Sequence, residues 1–212
     1  MNKKRQTIWN KSGGKCWYCG CELGEKGWHA DHFHPIIRNY WKNDGSSVYP
    51  ELDTIDNLVP SCAPCNNFKH SLSIDNYRSL CTDQFENIPK YTTGARQLQR
   101  LGLLDFTPKP VVFWYEQQDI TMPSKYEMIG ISDEALKVEW EKDKQESDYF
   151  SSDFGDFLCT LKGYGNKWVA IAINYDWEEL SRETFPNSYD VKALAAQWAI
   201  NIRNPPPPPD AL

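Results

Sequence analysis

Two cysteine pairs of identical spacing, Cys16-x2-Cys19 and Cys62-x2-Cys65, constrain this chain more than any other feature. Each pair presents two thiolates from one knuckle, and two knuckles brought together close a tetrahedron around a zinc ion. A site of four cysteines keeps no open position, so the expected zinc is structural and does no chemistry itself. The knuckles stand 43 residues apart, from Cys19 to Cys62. A disulfide framework is the competing use of seven cysteines. The basic start MNKKRQTIW is followed by no apolar run of signal-peptide or membrane-span length. The expectation is therefore a cytoplasmic, reducing location, where such spacing holds metal. No βαβ pattern surrounds either pair, which argues against a thioredoxin-like redox role. Cys21, Cys81 and Cys159 fall outside the pattern and read as spare thiols.

Between the pairs lies WHADHFHPII, residues 28–37, which holds three of the chain's four histidines. Residues 26–33 read as a strand bounded by Pro35. On a strand Asp31 and His32 point to opposite sides, so they cannot ligate one ion in the same way. One can bind a metal while the other faces what the metal binds. Asn66 and His70 follow the second cysteine pair, and on a helix the i, i+4 spacing puts them on one face. Asp31, Asn66 and His70 are thus candidate ligands of one divalent cation, Mg²⁺, Mn²⁺ or similar, through O, O and N donors. His32 would stand nearby, able to take a proton from water at neutral pH. His29 and His34 read as supporting or surface residues, with His34 a candidate phosphate contact. Asn57, in DNLVPSC, is open to two uses, since Asp-Asn is also ordinary turn chemistry.

Elsewhere the pattern is that of a mixed α+β protein. Residues 1–15 read as a short basic helix anchored by Ile8 and Trp9 and stopped by SGG at 12–14. KNDGSSVYPELDT, 42–54, reads as a loop. The segment after the second pair reads as helical from about Asn66, and another helix is expected near 93–104. FTPKPVV, 106–112, carries two prolines and is the expected domain boundary, separating 1–105 from 106–212. EMIGISDEALKVEWEKDKQESDYF reads as part helix. GDFLCTLKGYGNKWVAIAINYDW reads as two strands around a GYGN turn. Residues 188–204 have the spacing of an amphipathic helix, and PPPPPDAL reads as an extended polyproline stub.

The net charge of −6 hides an asymmetry. Residues 1–105 carry 13 Lys and Arg against 11 Asp and Glu, whereas 106–212 carry 10 against 18. The halves are expected to meet different partners. The acidic half makes a poor DNA clamp and is expected to bind a protein partner, self-associate or regulate. No membrane association is expected.

GGKCWYCG, then ADHFHP, then DNLVPSCAPCNNFKH, in that order, resembles the HNH endonuclease family. The likeness is to its zinc-stapled members with a ββα-metal (His-Me finger) fold, and it covers about residues 5–75. The resemblance implies a metal-dependent endonuclease that hydrolyses DNA phosphodiester bonds, with double-stranded DNA as the expected partner. It implies that Asp31 ligates the catalytic metal and that His32 is the general base. Asn57 would brace the loop and orient that base, Asn66 would be the helical ligand, and His70 stands where some members carry a further ligand. Lys69 matches a basic residue often found there. An Asp at the first metal position with Asn on the helix marks the Asp-His-Asn subset, whose members need not use the last His. Arg5, Arg38, Lys69 and Arg78 are candidate phosphate contacts, since affinity rises with the number of phosphates neutralised.

Two other readings compete. A zinc-stapled module that only binds nucleic acid would not require the Asp-His pair and Asn66. A nucleobase deaminase would need an open zinc and an HxE pattern, where this chain has HAD.

Overall fold

The computed structural model describes residues 1–38, 44–186 and 190–205. The expected polyproline tail lies outside the described residues apart from Pro205, as do residues 42–43 of the expected loop and 188–189 of the expected last helix. The chain mixes helix and sheet and divides into two compact units, Met1–Pro123 and Ser124–Leu212. Among the described residues no helix is long and apolar enough to cross a membrane.

In the first unit, helix α1 (Lys3–Asn10) begins where the Asn2 side chain accepts from the Arg5 amide at 2.8 Å. It stops at SGG as expected. Gly14 has a φ of +85°, and a Cβ there would lie 2.2 Å from the Trp9 ring, so only glycine fits. Strand β1 (Trp28–His32) pairs antiparallel with β2 (Leu58–Cys62), setting Trp28 opposite Cys62 and His32 opposite Leu58. Ile8 packs with Trp28 and Leu58 beneath this pair. Helix α2 (Ala63–Lys69) continues directly from β2, so the core of the unit runs strand, strand, helix.

The helix differs from the sequence expectation at both ends. It starts at Ala63, not Asn66, because Pro64 suits a first turn whose amides lack intrahelical partners. It ends at Lys69, because His70 takes a φ of +50° that no α-helix accommodates. A separate helix α3 (Ile74–Tyr91) then starts, its Asn76 amide capped by Ser73 at 3.2 Å. Helix α4 (Thr93–Arg100) fills most of the expected 93–104 helix, but Leu101, Leu103 and Leu104 lie past its end and are exposed.

The first unit also runs beyond the expected boundary at 106–112. Trp114 and Tyr115 donate backbone hydrogen bonds to the carbonyls of Tyr18 and Trp17, at 2.9 and 3.1 Å. Phe113 and Tyr115 are buried in one cluster with Cys16, Trp17, Tyr18, Phe33 and Tyr77. The prolines of FTPKPVV are therefore a connection within the unit, and the division falls after Pro123.

The second unit is an antiparallel meander of β3 (Glu141–Lys142), β4 (Tyr149–Asp153), β5 (Leu158–Tyr164), β6 (Lys167–Ile173) and β7 (Glu179–Pro186). The two strands expected around GYGN are β5 and β6. A final helix, Val191–Arg203, packs Ala195, Ala196 and Ala199 against Cys159, Leu161, Ala170 and Ala172. All seven are fully buried, and the five alanines let helix and sheet approach closely. The acidic stretch before the sheet forms only two single-turn helices, Lys125–Met128 and Asp133–Leu136, each capped by a serine hydroxyl.

Candidate active site

Cys16, Cys19, Cys62 and Cys65 come together as the two knuckles require. Their sulfurs all lie within 4.8 Å of one another, and those of Cys19 and Cys62 are 3.8 Å apart. Four such thiols can hold a metal ion such as zinc. Hydrogen bonding with Cys65 pushes the Cys16 thiol down to about 4 and pushes that of Cys65 up, so the first thiolate forms readily. The Trp17 amide donates to the Pro60 carbonyl at 2.8 Å, locking the first knuckle to β2. Cys21 stays outside the set, Cys81 is half-buried on α3, and Cys159 belongs to the core of the second unit.

Beside this cluster β1 delivers Asp31 and His32 to a small cleft of about 90 Å³. It is lined by Asp31, His32, His70, Ser71 and the segment Pro35–Arg38. Alternate strand residues were expected to face opposite sides. The two side chains do turn to different partners, and at the end of β1 both residues border the cleft.

Asp31 is only 9 % exposed. Its Oδ2 accepts from the Tyr18 hydroxyl at 2.6 Å and lies 3.2 Å from Lys69 Nζ. Lys69 is fully buried and also donates to the His32 carbonyl at 2.9 Å. Burial pulls the Lys69 ammonium below its usual range, opposed by the attraction of Asp31. Removing one member of a buried pair of this kind costs about 3–5 kcal/mol, since the other is left uncompensated. His32 Nε2 lies 2.9 Å from Asp53 Oδ1, and hydrogen bonding with His32 holds the Asp53 carboxyl below the usual carboxylate range.

Asn57 is fully buried. Its Nδ2 donates to the carbonyls of His34 and Leu52, both at 2.8 Å, and its Oδ1 accepts from the His34 amide at 2.9 Å. It thereby ties the turn after His32 to the turn before Asp53, fixing both partners of that hydrogen bond.

The other candidates divide. Arg38 and His70 border the cleft. Asn66 sits half-buried on α2 and does not line it. Asp31, His32 and His70 are not gathered as the thiols are: among the described residues the cysteines are the one compact set of three or more His, Cys, Asp or Glu donors. Lys69 was a candidate phosphate contact, and its complete burial against Asp31 removes it from the surface. Arg5 was another, but its guanidinium lies 3.8 Å from the centre of the Trp28 ring and donates to the Trp28 carbonyl at 2.9 Å. Arg78 is paired with Glu116 and bonds the Val111 carbonyl, which fastens the 111–116 segment to α3. His34 Nε2 donates to the Pro123 carbonyl at 2.9 Å and closes the C-terminal end of the unit, while His29 is exposed.

Sequence reasoning missed two residues of this site. Asp53 lies in a turn-rich stretch where an acidic residue carries no signal. Tyr18 lies inside the first knuckle, where an aromatic residue reads as packing.

Comparison with protein-family models, with curated proteins and with solved structures gives no match for this chain.

Proposed function

We propose that the first unit is a metal-dependent endonuclease of the HNH type that hydrolyses DNA phosphodiester bonds, its fold stapled by zinc on the four cysteines. One observation carries the reading. A buried carboxylate and a histidine from the end of one strand border a single cleft, on a strand–strand–helix unit held by four converging thiols. In this reading Asp53, an ionised carboxylate, can only accept from His32, so the Nε2–H is the donor in their 2.9 Å bond. The lone pair then resides on Nδ1, ready to take the proton of the attacking water. Asn57 keeps that pair in register, and Arg38 offers a positive charge to a phosphate at the rim.

The nuclease reading also calls for a second, catalytic metal. Asp31 has a second oxygen, Oδ1, with no hydrogen-bond partner among the described residues. With His70, which borders the same cleft, it would hold a divalent cation such as Mg²⁺ or Mn²⁺, which would supply charge stabilisation at the scissile phosphate, whereas Asn66 stands outside that cleft.

The Lys69–Asp31 pair favours a second reading, a zinc-stapled nucleic-acid-binding module without catalysis, because the ammonium already satisfies one carboxylate oxygen. Cleavage of plasmid and linear DNA, with Mg²⁺, Mn²⁺ or EDTA, separates the two. The nuclease reading expects cation-dependent cutting that His32→Ala lowers about 10²–10⁴-fold while DNA affinity stays unchanged. DNA binding by the wild type without cutting under any divalent cation selects the second reading. Cutting by His32→Ala at the wild-type rate removes His32 from the mechanism.

A further inference from the structure

We infer that Tyr18 and Lys69 are positioning residues that hold Asp31 in the orientation a divalent cation can use, and so connect that carboxylate to the four-cysteine site. The inference rests on the nuclease reading and deepens it. Tyr18 lies between Cys16 and Cys19, and Lys69 lies one helical turn beyond Cys65 on the same helix. Each cysteine knuckle therefore sends one donor to the same atom. The Tyr18 hydroxyl reaches Asp31 Oδ2 at 2.6 Å, and Lys69 Nζ stands 3.2 Å from it. With Oδ2 occupied twice, Oδ1 is the oxygen left for a ligand, and Asp31 borders the cleft.

Neither donor is free to swing away. The Tyr18 ring makes edge contacts with Tyr77 and Phe113, at centroid distances of 5.5 and 5.7 Å. Lys69 spends a second hydrogen on the His32 carbonyl at 2.9 Å, so one ammonium sets both the carboxylate and the backbone of the neighbouring base. Turning Asp31 about its side-chain bonds would break both contacts to Oδ2 together. Partners that orient a ligating carboxylate in this way commonly change metal affinity 10–100-fold, without touching the metal.

The test uses the full-length, zinc-loaded protein and Mn²⁺ alone, titrated by calorimetry, with zinc content and thermal midpoint measured in parallel. Tyr18→Phe removes one hydroxyl and keeps the ring. It is expected to weaken Mn²⁺ binding about 10–100-fold at unchanged zinc content, with DNA cleavage recovering at high Mn²⁺. Lys69→Gln and Lys69→Met both remove the charge and differ in whether a donor remains. The glutamine variant is expected to bind Mn²⁺ about tenfold more tightly than the methionine variant. Should Tyr18→Phe shed its zinc, this second comparison carries the test. Asp31→Asn separates the two levels. If it weakens Mn²⁺ binding while Tyr18→Phe does not, and the two Lys69 variants bind alike, positioning is overturned and the nuclease reading stands. If Asp31→Asn binds Mn²⁺ as the wild type does, Asp31 is no ligand and both fall.

Discussion

In Ser124–Leu212 the last helix lays Ala195, Ala196 and Ala199 against Cys159, Leu161, Ala170 and Ala172, an apolar cluster, and the buried Asp190 at the start of that helix is paired with Lys125. In Met1–Pro123 the equivalent depth is occupied by Asp31, Asn57 and Lys69, each tied to named partners, beside four thiols. The second unit follows the ordinary route to a stable fold, removing apolar surface from water. The first buries polar groups that are tolerable only while every partner is in place. That contrast separates a unit held by apolar packing from one that carries a candidate site, and it says where each is expected to fail.

The sharpest way to break the comparison is Cys62→Ser. In zinc-finger peptides a structural zinc supplies about 10–16 kcal/mol of apparent folding energy. The variant is expected to lose the structure of Met1–Pro123 and keep that of the sheet. Hydrogen-exchange mass spectrometry, read peptide by peptide, checks this. Equal loss of protection in both units would mean that the second is not self-sufficient.

A smaller effect follows from the boundary. A fragment of residues 1–105 discards Phe113 and Tyr115, each worth about 1.5–3 kcal/mol of burial, together with the backbone bonds from Trp114 and Tyr115 to the first knuckle. Fragment 1–123 is expected to melt cooperatively with zinc bound. Fragment 1–105 should show no cooperative transition, or one at a much lower temperature. Identical melting curves would put the boundary back in the proline segment.

The mildest perturbation is Ala196→Leu. Adding bulk at a fully buried alanine costs about 1–3 kcal/mol in strained packing. Differential scanning calorimetry should show the transition of the second unit lowered, with metal-dependent melting of the first unmoved. If the metal-dependent transition shifts as well, the units are energetically coupled.

Residues that act through spacing were readable from the chain alone. Two CxxC pairs announce their own convergence, and the alternation around GYGN announces a hairpin. Asp31 and His32 drew attention because histidines are scarce here. Residues that act through burial were not readable. A lysine at a helix end, such as Lys69, normally lies in water, and only the packed structure reveals the carboxylate beneath it. FTPKPVV misled because prolines punctuate linkers and internal connections alike. The better signal was the FWYE that follows, an aromatic run too apolar to be left exposed. The helical spacing of Asn66 and His70 failed for a local reason, since a left-handed residue cannot continue a helix.

The separation of the two knuckles along the chain also bears on how this protein assembles. In the second unit, β5 and β6 close across the Gly165-Asn166 turn, a contact between near neighbours that forms in microseconds. In the first, the thiols of Cys19 and Cys62 must meet across 43 residues before the ion has all its ligands. Such a loop is entropically costly to shut, and the pairing of β1 with β2 and the aromatic cluster offset only part of that cost before an ion joins the thiols. With a metal on the thiols, the two halves of one polypeptide would mature on different clocks, one governed by the chain alone and the other also by the supply of metal.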